Sequence, residues 1–133
     1  MILVDTSVLI DLFKGEQNKP VSALKEVIQN NIPFAITSFI FQEILQGARD
    51  RKEYVLLNRY LSCQRFIHPK DAIVSYRKAA LIYFNARRQG VTIRSAMDCL
   101  IAQIAIEHNA LLLHNDRDYS RMAEFTKLRI YKI

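Results

Sequence analysis

Of the 133 residues only two are cysteine, three glycine and three proline. So little Gly and Pro excludes collagen-like and low-complexity chains. Cys63 and Cys99 stand far apart, with no C-x-x-C pair and no zinc-finger spacing of Cys and His. A disulfide framework is therefore not expected, and Cys99, inside a long apolar stretch, reads as a small apolar side chain in a reducing compartment. The isolated glycines Gly15, Gly47 and Gly90 form neither G-x-x-x-x-G-K-[ST] nor G-x-G-x-x-G, so no nucleotide-cradling loop is expected. There is no G-x-S-x-G elbow for a serine hydrolase, and Ser7 stands where an aspartyl phosphatase would have a second Asp. No run reaches the ~20 uncharged apolar residues that span a bilayer. "MILVDTSVLIDLF" also lacks the basic segment and cleavage site of a signal peptide. A cytoplasmic protein without membrane contact is expected.

What is present suits a packed protein. Half of the residues are hydrophobic, and a chain of this length can bury roughly 68–70% of its unfolded surface. One domain, residues 1–133, is expected. Nineteen Lys and Arg against 13 Asp and Glu leave a net charge of +6. Basic residues gather in "RDRK" (49–52), at Arg59 and Arg65, and in "RRQGVTIR" (87–94). Each group alone could be a solvated face, and together they suit a polyanion such as nucleic acid.

"MILV" (1–4) and "ALLL" (110–113) are apolar at every position, as strands buried on both faces of a parallel sheet are. "PFAIT" (33–37), "RFIH" (65–68) and "LRIYKI" (128–133) read as further strands. Helical patterns lie between them: after Asp5, over 19–31, over 38–48 with Ser38 as cap, over 50–62, 70–89 and 95–109, and over 117–124. Alternation of this kind predicts an α/β sandwich around a mainly parallel sheet.

Ligands of such sheets bind at the carboxyl ends of the strands. Asp5, Asp116 and Asp118 follow strands there, while Glu43 and Asp98 lie in the opening turns of helices. Gathered carboxylates repel unless a cation compensates, and hard divalent ions take oxygen ligands. His68, His108 and His114 are too dispersed to suggest zinc. Each acid also has a structural reading. Ser95-Ala96-Met97-Asp98 fits a capping box, Asp5 could cap a helix, Asn115 or Asp116 could cap the helix from Arg117, Asp118 could complement its dipole, and Glu43 could lie on a solvated face.

"VDTSVLIDLF", "FQEILQGA" around Glu43, "AMDCLIAQIA" and "LLLHNDRDY" stand in one order and spacing. In these stretches the chain resembles PIN-domain proteins, in the small form of the VapC-like toxins of type II toxin–antitoxin pairs, from residue 3 to about 125. The resemblance implies a PIN-like three-layer α/β/α sandwich and an endoribonuclease dependent on Mg²⁺ or Mn²⁺. By matching positions, Asp5, Glu43, Asp98 and Asp116 would be its acidic quartet, with Asp5 and Asp98 the most direct metal ligands. Ser7 would support the first acid, and Asp118 would be a second acid near the fourth. His114 departs from the Thr or Ser frequent two residues before the fourth acid, which leaves open whether Asp116 or Asp118 lies nearer the metal. The implied partners are an RNA substrate (tRNA, rRNA or mRNA), a cognate antitoxin and a second copy in a homodimer.

On this reading residues 49–52 and 87–94 hold the RNA backbone. Tyr54, Tyr119 or Phe41 either stacks a base or packs in the core. The rival from another class is a non-catalytic basic α/β module whose acids are only caps. A receiver-like domain would need a phospho-acceptor after a middle strand, where Asp71 fits poorly.

Overall fold

The computed structural model describes all 133 residues. Its elements are β1 (Ile2–Val4), α1 (Thr6–Phe13), α2 (Lys19–Gln29), β2 (Phe34–Ile36), α3 (Ser38–Gln46), α4 (Arg51–Leu61), β3 (Arg65–Phe66), α5 (Ala72–Arg88), α6 (Ala96–Glu107), β4 (Leu111–Leu113), α7 (Arg117–Ala123) and β5 (Arg129–Ile130). Each expected element exists. The last strand is shorter than its apolar pattern, because only Arg129 and Ile130 pair with β4.

The sheet runs β3-β2-β1-β4-β5 and every pair is parallel. Its centre is β1, with Ile2 opposite both Phe34 and Leu111 and Val4 opposite Leu113. All three residues of β1 and of β2 are buried, as continuous apolar runs demand in a sheet covered on both faces. From β1 the chain steps to β2 and β3 on one side, then returns to lay β4 and β5 on the other. With right-handed crossovers, α1–α4 cover one face and α5–α7 the other. The packing agrees: α1 meets α2 and α3, and α3 meets α4, while α6 meets α5 and α7. No helix is long and apolar enough to cross a membrane.

The strand order reverses between β1 and β4, and a crevice opens at such a switch point beyond the strands' carboxyl ends. Above it stands α6, buried at every position from Cys99 to Ala105. A helix apolar on nearly all sides needs cover all round, and α5, α7 and the sheet supply it. Burial and the neighbouring Asp98 charge push the Cys99 thiol up to about 11, so it stays protonated and packs as an apolar group. At the far end of α6, Glu107 clamps α5 by accepting from the Lys70 N–H at 2.8 Å and the Ser75 hydroxyl at 2.8 and 2.9 Å.

Side chains cap six of the seven helices. Asp5, Asn18, Thr37, Asp50, Asp71 and Asp116 each accept from a first-turn N–H. Thr37, not Ser38, caps α3: the strand ends one residue earlier than expected, and the Thr37 hydroxyl accepts from Ile40 N–H at 3.1 Å. The exception is α6, whose Ser95 makes no side-chain cap bond.

Candidate active site

Asp5 leaves β1 directly into the crevice. Its Oδ2 accepts the Ser7 N–H at 3.0 Å and the Ser7 hydroxyl at 2.7 Å, so it caps α1 and is held rigidly. Ser7 Oγ in turn accepts from the Asn115 N–H at 3.0 Å, which ties the β4 exit loop to the β1 exit loop.

Asp98 is half-buried in the first turn of α6. Its backbone N–H reaches the Ser95 carbonyl, but its carboxylate does not return to the Ser95 N–H, so the capping box does not form. The carboxylate instead turns towards Tyr119, whose hydroxyl lies 3.3 Å from Asp98 Oδ1 and donates to Asp5 Oδ1 at 2.9 Å.

Asp116 caps α7, accepting the Asp118 N–H at 3.0 Å, and takes Arg94 Nη2 at 2.7 Å. Asp118 is buried, with Oδ2 held by the Arg94 N–H and Nε at 3.1 and 3.2 Å. Asp98, Asp116 and Asp118 each bring an oxygen within 4.8 Å of the other two. Asp5 lies outside that tight group and joins it through Tyr119. Glu43 also lies outside it: the Thr6 hydroxyl, beside Asp5, donates to Glu43 Oε1 at 2.7 Å. Glu43 is thus tied to the β1 exit, whereas a solvated face was the alternative.

The concentration of charge bears on Asp98. Burial first, then the charges of Asp5 and Asp116, push its carboxyl up to about 7 against the opposing Tyr119 hydrogen bond. His114 is no bystander at a strand end. Its Nδ1 accepts from the Asp116 N–H at 3.0 Å, and burial holds the ring below the ordinary imidazole value, so it stays neutral. It packs 5.3 Å from the Tyr119 ring.

A family model described as the PIN domain matches residues 2–125. The chain belongs to the PIN-domain family. This PIN domain is 36% identical over 130 residues to ribonuclease VapC11 of Mycobacterium tuberculosis, covering 97% of this chain and 96% of the relative. It is 30% identical over 132 residues to ribonuclease VapC1 of Methanocaldococcus jannaschii, covering 98% and 86%. Among solved structures its fold is similar to VapBC2 of Rickettsia felis bound to promoter DNA (TM-score 0.71, 20% identity, 98% of each chain). It is equally similar to VapBC-1 of nontypeable Haemophilus influenzae (TM-score 0.72, 20% identity, 99% and 98%).

Three members of this constellation escape a sequence reading. Thr6 looks like ordinary helix sequence, yet it holds Glu43. Arg94 reads as an RNA-facing base, yet it is paired with Asp116 and Asp118. Tyr119 reads as a core ring or a stacking surface; it is completely buried and cannot stack on a base. The spacing of Asp116 and Tyr119 on one short helix was the available signal. Of the other expected backbone contacts, Arg49 is tied to Glu53 at 2.8 Å, while Arg51, Lys52, Arg87 and Arg88 are exposed.

The donor set tests which ion fits. The carboxylates of Asp5, Asp98 and Asp116 present hard oxygens, His114 Nδ1 is engaged, and Cys99 stays protonated. Such an oxygen donor set suits a hard divalent ion.

Proposed function

We propose that this PIN domain is a metal-dependent endoribonuclease hydrolysing RNA phosphodiester bonds, the toxin of a type II toxin–antitoxin pair, folded as one domain over residues 1–133. The observation that carries the reading is the gathering of Asp98, Asp116 and Asp118, with Asp5 joined to Asp98 through the Tyr119 hydroxyl, in a chain 36% identical to a VapC ribonuclease. An identity of 36% spread over 97% of the chain supports the same chemistry.

Asp5, Asp98 and Asp116 would hold one Mg²⁺ or Mn²⁺. When bound, the ion would supply positive charge at the scissile phosphate and make a water easier to deprotonate for attack. Each acid of the α7 pair has two donors on one oxygen and none on the other, and Asp116 is the better ligand because it is the more accessible, Asp118 being buried. Asp118 therefore fixes Arg94, and Arg94 fixes Asp116. Glu43, anchored through Oε1, keeps Oε2 free to accept a hydrogen bond from the attacking water. Arg51, Lys52, Arg87 and Arg88 contact the RNA backbone, a salt-sensitive interaction that is blind to sequence.

A groove of about 630 Å³ opens beside Glu43 between α1, α3 and α4, lined by Ile10, Phe13, Ile44 and Leu57 with Arg49 and Glu53 at its rim. It suits an amphipathic segment of the antitoxin.

The test is cleavage of a mixed tRNA and rRNA pool by metal-free protein, with Mg²⁺, Mn²⁺ or EDTA added. Cleavage restored by either ion and abolished by EDTA is expected. RNA that is bound but never cut under either ion would favour the non-catalytic module.

A further inference from the structure

Ser7 and Tyr119 together occupy most of the Asp5 carboxylate. An ionised carboxylate offers about four lone-pair positions on its two oxygens. Two on Oδ2 are taken by the Ser7 N–H and hydroxyl at 3.0 and 2.7 Å, and one on Oδ1 by the Tyr119 hydroxyl at 2.9 Å. The remaining position is on Oδ1, the oxygen that Tyr119 holds. Asp5 can thus offer one oxygen outward, and Tyr119 decides where that oxygen sits.

The same hydroxyl is 3.3 Å from Asp98 Oδ1, and Asp98 Oδ2 has no protein donor. A phenol carries one proton, so a single donor is shared by two like-charged carboxylates that would otherwise move apart. Neighbouring ligands of an octahedral Mg²⁺ with bonds of 2.0–2.1 Å lie about 3 Å apart. Bringing both oxygens within reach of one hydroxyl keeps the two carboxylates from moving apart before any ion arrives. The anchor is firm: Tyr119 has no exposed surface, its ring packs on His114, and it sits one turn after Asp116 on α7. One helical turn therefore carries both a ligand and the strut that sets the other two.

We propose that Tyr119 is a positioning residue of the metal site, whose shared hydroxyl presets Asp5 and Asp98 for one divalent ion and selects Oδ1 of Asp5 as the oxygen that faces it. This rests on the acids holding a metal.

The experiment is calorimetric titration of Mn²⁺ into metal-free wild type and Tyr119→Phe, with near-ultraviolet circular dichroism of each before titration. Loss of a hydrogen bond that orients a ligand weakens metal binding about 10–100-fold. A folded Tyr119→Phe protein that binds Mn²⁺ at least tenfold more weakly bears the proposal out. Any smaller loss overturns it while leaving the metal site intact. A wild type that binds no Mn²⁺ overturns the metal reading itself, and the positioning role with it. Should the phenylalanine variant not fold, wild type labelled with ¹³C at the tyrosine Cζ decides. Saturating Mg²⁺ must move the Tyr119 resonance, and a resonance that stays put contradicts the role.

Discussion

The backbone N–H and the guanidinium Nε of Arg94 donate to the same oxygen, Oδ2 of Asp118, at 3.1 and 3.2 Å. Through Nη2 the same arginine reaches Asp116. The loop before α6 and the start of α7 are thereby locked into one unit beside Asp98. A buried carboxylate tolerates this position only with its partners. Arg94→Ala should therefore lower the melting temperature of the metal-free protein, and Arg94→Ala with Asp118→Ala should recover part of the loss. A double variant less stable than Arg94→Ala would show that Asp118 is not held as a buried charge.

The pH dependence of the metal-free protein should carry the mark of Asp98. Its carboxyl is pushed up to about 7 in the fold, against roughly 3.9 in an unfolded chain. Between these values the native state binds more protons than the unfolded one. The stability from this group is complete below about pH 4 and is lost as pH rises through about 7. His114, held low by burial, acts oppositely below about pH 6.5 but is present in wild type and variant alike. In EDTA, the melting temperature of wild type minus that of Asp98→Asn should fall from about pH 5 to about pH 8. A difference that is flat or rises contradicts the assignment. Mn²⁺ binds the carboxylate, so the stabilisation it confers should grow over the same interval.

Thr6→Val keeps the shape of the side chain and removes the donor at 2.7 Å from Glu43. Without its anchor Glu43 loses orientation, and RNA cleavage should fall about 10–100-fold, as for other residues that hold a functional carboxylate. Mn²⁺ affinity should stay close to that of wild type, since the proposed function sets Glu43 at the water and not at the ion. Unchanged cleavage, measured under single turnover, would remove Glu43 from the mechanism.

Ser75→Ala separates scaffold from site. It removes the hydroxyl that bridges α5 to Glu107, and Lys70 N–H and Gln103 remain as donors. Burial raises the Glu107 carboxyl, but the bonds from Lys70, Ser75 and Gln103 outweigh it and hold the group below its ordinary value. A cost of about 1 kcal/mol is expected, a drop of roughly 4 °C in melting temperature. Mn²⁺ affinity should not change. If it weakens, the α5–α6 clamp is coupled to the acids.

The sheet and the acids were legible in the residues because their signals are local. "MILV" and "ALLL" are apolar without a break, as strands of a doubly covered parallel sheet are, and Asp5 and Asp116 stand just beyond them. The roles of Arg94, Tyr119 and Thr6 were not legible, because each depends on a partner 21 to 114 residues away in the chain. Periodicity assigns Tyr119 to an apolar face but cannot say that its hydroxyl ends between two carboxylates. Likewise Arg94 in a basic run looks solvent-facing until the loop before α6 is seen to lie on α7. The capping box failed for a related reason. Ser-x-x-Asp is a pattern of residue types, and here the tertiary contact with Tyr119 takes the aspartate that the local motif would use.

On the proposed function, Asp98 stands at the head of a buried helix to hold a divalent ion. Asn caps helices about as well as Asp but is a poor ligand for a hard cation. The deciding measurement is therefore Mn²⁺-dependent RNA cleavage by wild type and Asp98→Asn side by side, each shown to be folded by circular dichroism. The variant should fold, and its cleavage should disappear. A folded Asp98→Asn protein that cleaves RNA as fast as wild type would contradict this role of Asp98.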